Sequence, residues 1–160
     1  MANLWVGRRA FAVGLLALMI GLVGSFGARA EDSGTLDEAQ ALLQKAVAEI
    51  KAVGKEAAFA KFNSHEGGFI EKDLYVFVFG LDGMTLAHGG NPSMVGRNLA
   101  GLKDVDGKPF MQDMMDLAKN AGGGITNYKW LDPKTKKIEA KRSYIVRIDD
   151  YFVGVGAYVR

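Results

Sequence analysis

Leu74-Tyr75-Val76-Phe77-Val78-Phe79, followed by Leu81-Asp82-Gly83 and Met84-Thr85-Leu86-Ala87-His88, is the stretch on which the fold turns. Aromatic and β-branched residues fill the first run, and these are the types that suit a pleated, half-buried backbone. The Asp-Gly pair between the runs supplies a turn, so the segment reads as a β-hairpin. Downstream, the same period continues in Ile125 to Trp130, Ile138 to Ile148 and Tyr151 to Tyr158. Turn sequences join these three: Asp132-Pro133-Lys134-Thr135-Lys136-Lys137 and then Asp149-Asp150.

Between the hairpin and the later strands lies a long connection, Gly89 to Lys108, rich in Gly, Asn and Asp. Such stretches in compact domains more often serve function than idle. Pro109 to Asn120 then reads as a helix with Pro109 in its first turn, stopped by Gly122-Gly123-Gly124. Upstream of the hairpin, Thr35-Leu36-Asp37-Glu38 fits a capping box. Leu36, Ala39, Leu43, Ala46, Ile50 and Val53 follow at three-four spacing, Gly54 ends that helix, and Lys55 to Phe62 forms a second. The expected class is α+β: a five-stranded antiparallel sheet with helices on one face or end, and a loop-helix insert between strands two and three. The first helix's stripe packs on the domain's own sheet; a weak homodimer through that helix is the other reading.

Residues 1–30 stand apart. Arg8-Arg9, the apolar run from Phe11 to Val23 and the closing Ala28-Arg29-Ala30 form the three parts of an export signal, with cleavage expected after Ala30. The predicted product is periplasmic or secreted, by the general secretory route, with the twin-arginine route as the alternative on Arg8-Arg9-Ala10-Phe11. The 160 residues carry 20 Lys and Arg against 18 Asp and Glu, a formal +2. Losing Arg8, Arg9 and Arg29 leaves the remaining 130 residues at −1, so the basic excess belongs to the signal. No nucleic-acid footprint remains.

The absence of cysteine removes disulfides, thiolate zinc, thioether haem and Cys nucleophiles. His65-Glu66 lacks the second histidine of a zinc-protease helix, because Phe69 stands there and Gly67-Gly68 would break the helix. Asp104, Asp106 and Gly107 resemble part of a calcium loop, but Leu102 replaces the first ligand and Asp113 the long bidentate Glu. They read as an Asp-Gly turn. Neither a nucleophile elbow nor a phosphate loop occurs in residues 31–160. No cofactor, metal or catalytic residue is expected.

What the sequence offers is a set of cations and rings that strand alternation can aim at one volume. Tyr128 and Trp130 share a strand face; so do Lys141 and Ser143, while Arg142 and Tyr144 take the other. His88 ends the second strand, and Arg97 lies in the long loop. A cation between aromatic walls suits a small carboxylate.

These residues carry a resemblance. Lys72-Asp73-Leu74-Tyr75-Val76-Phe77-Val78, Leu86-Ala87-His88-Gly89 with Asn91-Pro92, Val95-Gly96-Arg97-Asn98, Asp104-x-Asp106-Gly107-Lys108, Tyr128-x-Trp130-x-x-Pro133 with Lys141-x-x-Tyr144, and Val153-Gly154-Val155-Gly156-Ala157-Tyr158 resemble the single Cache domain, type 2. The resemblance covers Leu36 to Tyr158. It implies one domain over residues 31–160, with a helical opening at 35–62 and a sheet core at 69–160. It also implies a PAS-like extracytoplasmic sensor fold, binding short organic acids such as acetate, propionate, pyruvate or lactate. The pocket residues it implies are Tyr75, His88, Arg97, Tyr128, Trp130, Lys141 and Tyr144, of which Lys141 and Tyr144 cannot both face inward on a regular strand. Lys136, in a turn, is expected to matter less to the ligand than Lys141 or Trp130.

Because the sequence stops after the last strand, the expected role is a stand-alone ligand-binding sensor that acts through a separate transmembrane receptor or histidine kinase. The competing expectations are an enzyme on a small carboxylate, with His88 as general base, and a structural or adaptor protein with no ligand.

Overall fold

The computed structural model describes residues 33–160. The expected signal segment and its cleavage point lie outside the described residues.

Thr35 caps α1 (Leu36–Val53) as its sequence requires: its Oγ1 accepts from the Glu38 amide and the Glu38 carboxylate accepts from the Thr35 amide, 3.1 and 2.8 Å. The helix buries Ala39, Leu42, Leu43, Ala46 and Ile50, whereas Val53, expected in that stripe, is 44% exposed. The chain turns at Gly54, where φ is +83°, into α2 (Lys55–Phe62). After one 3-10 turn come β1 (Ile70–Glu71), β2 (Leu74–Gly80) and β3 (Thr85–His88). A loop then leads to α3 (Phe110–Ala121), followed by β4 (Gly123–Leu131), β5 (Ile138–Ile148) and β6 (Tyr151–Tyr158).

The sheet is antiparallel in every pairing and runs β2-β6-β5-β4, with β3 and the two-residue β1 pairing β2. The short β1 makes a sixth strand beside the five expected. Two boundaries also move. Pro109 stands before α3 rather than inside it, and β4 begins at Gly123 instead of Ile125. Gly122 ends the helix at φ +73°, but Gly123 continues as strand at φ +139°, and a Cβ there would lie 2.4 Å from the Ile145 carbonyl oxygen. The glycine is what lets β4 pair with β5 from its first residue.

Strand alternation divides the core in two. Leu74, Val76, Val78, Tyr151, Val153, Val155 and Ala157 face α1 and α2, forming one apolar layer. Tyr75, Phe77, Phe79, Tyr128, Ile145 and Phe152 face the other way, against Phe110, Met111, Met114 and Met115 of α3. The central strands β2 and β6 are therefore buried on both faces, and their near-continuous apolar sequence follows from it.

Candidate functional site

The α3 face of the sheet carries the chemistry. Residues 141, 143 and 145 of β5 point to it, and Lys141 is 1% exposed. Its ammonium lies 3.7 Å from the centre of the Tyr75 ring on β2 and 4.7 Å from that of Tyr158 on β6, a cation held between aromatic faces. Lys141 Nζ has no hydrogen-bond partner. Glycine makes this placement feasible: on β6 beside it, a Cβ at Gly156 would come within 2.9 Å of Lys141 Cε.

Burial pulls the Lys141 ammonium down to about 7, partly countered by the negative charges of Asp73 and Asp132. Those two carboxylates are themselves buried and engaged. Asp73 Oδ1 accepts from the Gly34 amide at 2.6 Å, and Asp132 Oδ1 from the amides of Lys134 and Thr135. Arg160 pairs with both, 3.0 Å from Asp73 Oδ2, and with Glu139 at 2.9 Å. Lys141 is thus left without a carboxylate in contact.

His88, 3% exposed at the end of β3, has its ring centre 5.0 Å from that of Tyr75 and 6.3 Å from that of Trp130. Its Nδ1 accepts from the Asn91 amide at 3.0 Å, which assigns the proton of the neutral ring to Nε2. Burial, reinforced by the Lys141 charge, lowers it to about 3. A base so weak is poorly matched to proton abstraction near neutral pH, so His88 is built to donate a hydrogen bond rather than to carry protons. Tyr128 stacks on Phe110 with ring centres 4.5 Å apart and planes 5° apart, and its hydroxyl lies 3.1 Å from Ser143 Oγ. Tyr158 donates from its hydroxyl to the Leu131 carbonyl at 2.7 Å. Desolvation raises the phenols of Tyr75, Tyr128 and Tyr158 above their ordinary range, so all three remain donors.

A cavity of about 430 Å³ opens on this cluster, lined among others by Tyr75, His88, Asn91, Met94, Trp130 and Pro133. Gly90 forms part of its wall because a Cβ there would fall 2.6 Å from the Tyr75 ring. Next to it, Phe77, Phe79, Phe110, Met111, Met114 and Tyr128 close around a space of only about 10 Å³, leaving no room for a long apolar tail. Lys141 does not line the first cavity, from which the Tyr75 ring separates it; it lines a second cleft of about 420 Å³ beside the lid, the loop of residues 89–108, with Asp104, Asp106, Lys108 and Lys129.

Of the seven residues the sequence singled out, the structure brings five together: Tyr75, His88, Tyr128, Trp130 and Lys141. Tyr144 is corrected to the opposite face, because alternation from Lys141 turns it toward α1, into an apolar groove of about 620 Å³ with Leu43, Val47, Ile125 and Val146. That groove is larger than the cavity but has no buried charge in its walls. Arg97 is exposed and lines none of these cavities; its backbone pairs with Thr85 and Met94 instead. Lys136, expected to matter less, lines the cavity. The sequence reading missed Tyr158, Asp73, Asp132 and Arg160 as parts of the site. Only Tyr158 had a local signal, sharing its strand face with Gly154 and Gly156.

Among the described residues no group of three or more His, Asp or Glu is placed to hold a metal ion, and no described helix is long and apolar enough to cross a membrane.

An antiparallel sheet with helices behind it and a lidded, aromatic-walled pocket in front is the architecture of a PAS-like sensor domain. The chain belongs to the single Cache domain 2 family, which it matches over residues 13–160. Over 90 residues it is 38% identical to the sensor histidine kinase MctS of Rhizobium johnstonii, a match spanning 55% of this chain and 19% of the kinase. A methyl-accepting chemotaxis protein structure from Vibrio parahaemolyticus is 25% identical with a TM-score of 0.67, covering 76% of this chain and 86% of that one. A Cache chemosensory domain described as recognising carboxylic acid shares the fold at 23% identity and a TM-score of 0.66, over 78% of this chain and 92% of its own. The chain is therefore a Cache sensor domain related to those of chemoreceptors and histidine kinases.

Proposed function

We propose that the domain is a periplasmic sensor for a short monocarboxylate, bound by Lys141 and walled by Tyr75, His88, Trp130 and Tyr158. The observation that carries this reading is the buried Lys141 ammonium, without a hydrogen-bond partner and lying against the Tyr75 ring that walls the cavity. A buried charge of this kind is costly until an anion joins it. A carboxylate entering from the cavity replaces an aromatic face with charge-assisted hydrogen bonds. His88 Nε2–H supplies a further donor, and the closed apolar space around Phe77 and Phe110 limits the tail to a few carbons. The neighbouring Cache domain described as recognising carboxylic acid agrees with this choice. The bound state is read by a transmembrane receptor or histidine kinase, the company kept by its relatives.

The test is a thermal-shift and calorimetric series with acetate, propionate, pyruvate and lactate at millimolar concentration on residues 31–160. Stabilisation by at least one acid is expected, following mass action. Lys141→Ala and Trp130→Ala should weaken binding about tenfold or more, against no change for Lys119→Ala on the exposed end of α3. A domain that answers to none of these acids, or a Lys141→Ala variant that binds as the parent does, would overturn the reading.

A further inference from the structure

Lys141 is walled in from every element that packs on it. Tyr75 of β2 and Tyr158 of β6 offer ring faces. His88 of β3 lies close enough for the two charges to oppose each other. Asp73 before β2 and Asp132 after β4 are the acids that act on it, and both are paired with Arg160. In the lid cleft, Asp106 is paired with Lys129 at 2.8 Å, and Asp104 is used up on the amides of Asp106, Lys108 and Lys129. Lys108 donates to the Asn127 carbonyl. Asp73 Oδ2 keeps only its ion pair with Arg160, the other acids are hydrogen-bonded elsewhere, and none is within hydrogen-bond distance of the ammonium.

We propose, building on the carboxylate reading, that the pocket binds its ligand together with one proton: the empty site holds Lys141 as a neutral amine, and the carboxylate restores the ammonium. The balance is simple. Lys141–NH2, a carboxylate anion and a proton from solvent give the ammonium–carboxylate pair, so no net charge enters the buried site. The aromatic box favours this exchange because ring faces offset only a small part of the ammonium's lost hydration, whereas a contacting carboxylate offsets much more. Burial lowering Lys141 to about 7 puts the change within the range of environmental pH. Arg160 contributes by holding Asp73 and Asp132 off the lysine. Above neutral pH the occupancy of such a sensor follows the product of anion and proton concentrations, which is to say the undissociated acid.

The experiment is isothermal titration of residues 31–160 with whichever of the four acids binds, from pH 6 to 9, in buffers of low and high ionisation enthalpy. All four acids are almost wholly ionised over that range, so their own titration contributes little. The Kd is expected to rise about a hundredfold between pH 6 and 9. Near pH 8 the buffer dependence of the heat should report close to one proton taken up per ligand. Lys141→Arg, always charged, should bind with a Kd that stays flat with pH. A flat Kd and no proton uptake in the parent protein would overturn the proposal while leaving the carboxylate site standing. Absence of binding at pH 6, where the lysine is charged, would instead overturn the site itself. The proton count needs only the parent protein, so the test stands even if Lys141→Arg fails to fold.

Discussion

A methyl group at Gly156 would sit 2.0 Å from Ser143 Oγ, 2.8 Å from the Arg142 carbonyl oxygen and 2.9 Å from Lys141 Cε. The residue has no left-handed φ to explain it; space alone keeps it glycine. Gly156→Ala is therefore expected to cost about 1–3 kcal/mol, the usual penalty for overfilling a packed site. It should also weaken acid binding by displacing the lysine. Urea denaturation and calorimetry on the same variant check the two effects, and unchanged values in both would show that the neighbours give way freely. The alternation of Lys141 and Ser143 with Arg142 and Tyr144 was legible in the sequence, because a regular strand obeys period two. Which set faces the pocket was not, since that depends on the side α3 covers. Arg97 misled for a different reason: a loop has no period, and family motif position does not say where a side chain points.

Among the elements, α1 and α2 were legible to the residue because their signals are local: the Thr35 box, the stripe and Gly54. Thr35→Ala should cost about 1 kcal/mol through the lost cap, checked by thermal or denaturant unfolding. The lid is another matter. Asp104 reads as a turn residue, and it does accept from Asp106 and Lys108 in its own loop, both at 3.0 Å. Its other oxygen accepts from the Lys129 amide, also at 3.0 Å, which pins the lid to β4 across 25 residues. These backbone hydrogen bonds, led by that from Lys129, hold the carboxyl below its usual range. Only tertiary structure creates that third contact, so sequence spacing could not show it. Asp104→Ala should speed amide hydrogen exchange over residues 101–108 by tenfold or more while leaving α1 unchanged. Equal protection in the variant would mean that Lys108 and Lys129 hold the lid alone.

For the whole molecule, the pocket's buried groups set how stability answers to pH. His88 falls from an ordinary 6.5 to about 3 on folding, so below 6.5 the unfolded chain holds a proton the native state lacks, and stability drops as pH falls toward 3. The depressed carboxyls of Asp104 and Asp132 add to that loss. Lys141 acts in the same sense at higher pH. Its fall from 10.5 to about 7 means that the unfolded state binds more protons between those values, so stability rises as pH climbs through them. Above 10 the sign reverses, because buried Tyr75, Tyr128 and Tyr158 keep protons that the unfolded chain releases. The ligand-free domain is therefore expected to be most stable near pH 9 to 10, well above the usual optimum. The sequence could not disclose this, because the main groups responsible, Tyr75, His88, Tyr128, Lys141 and Tyr158, lie on different strands and are buried together only by the sheet. Lys141→Met replaces a costly buried amine with an apolar chain of similar reach, so it should raise stability at pH 6 and flatten the rise between 7 and 10. The acid limb should remain, since His88 and the carboxyls are untouched. Denaturant midpoints measured from pH 5 to 10 on parent and variant decide the matter: parallel curves would show that Lys141 is not the group whose proton folding expels.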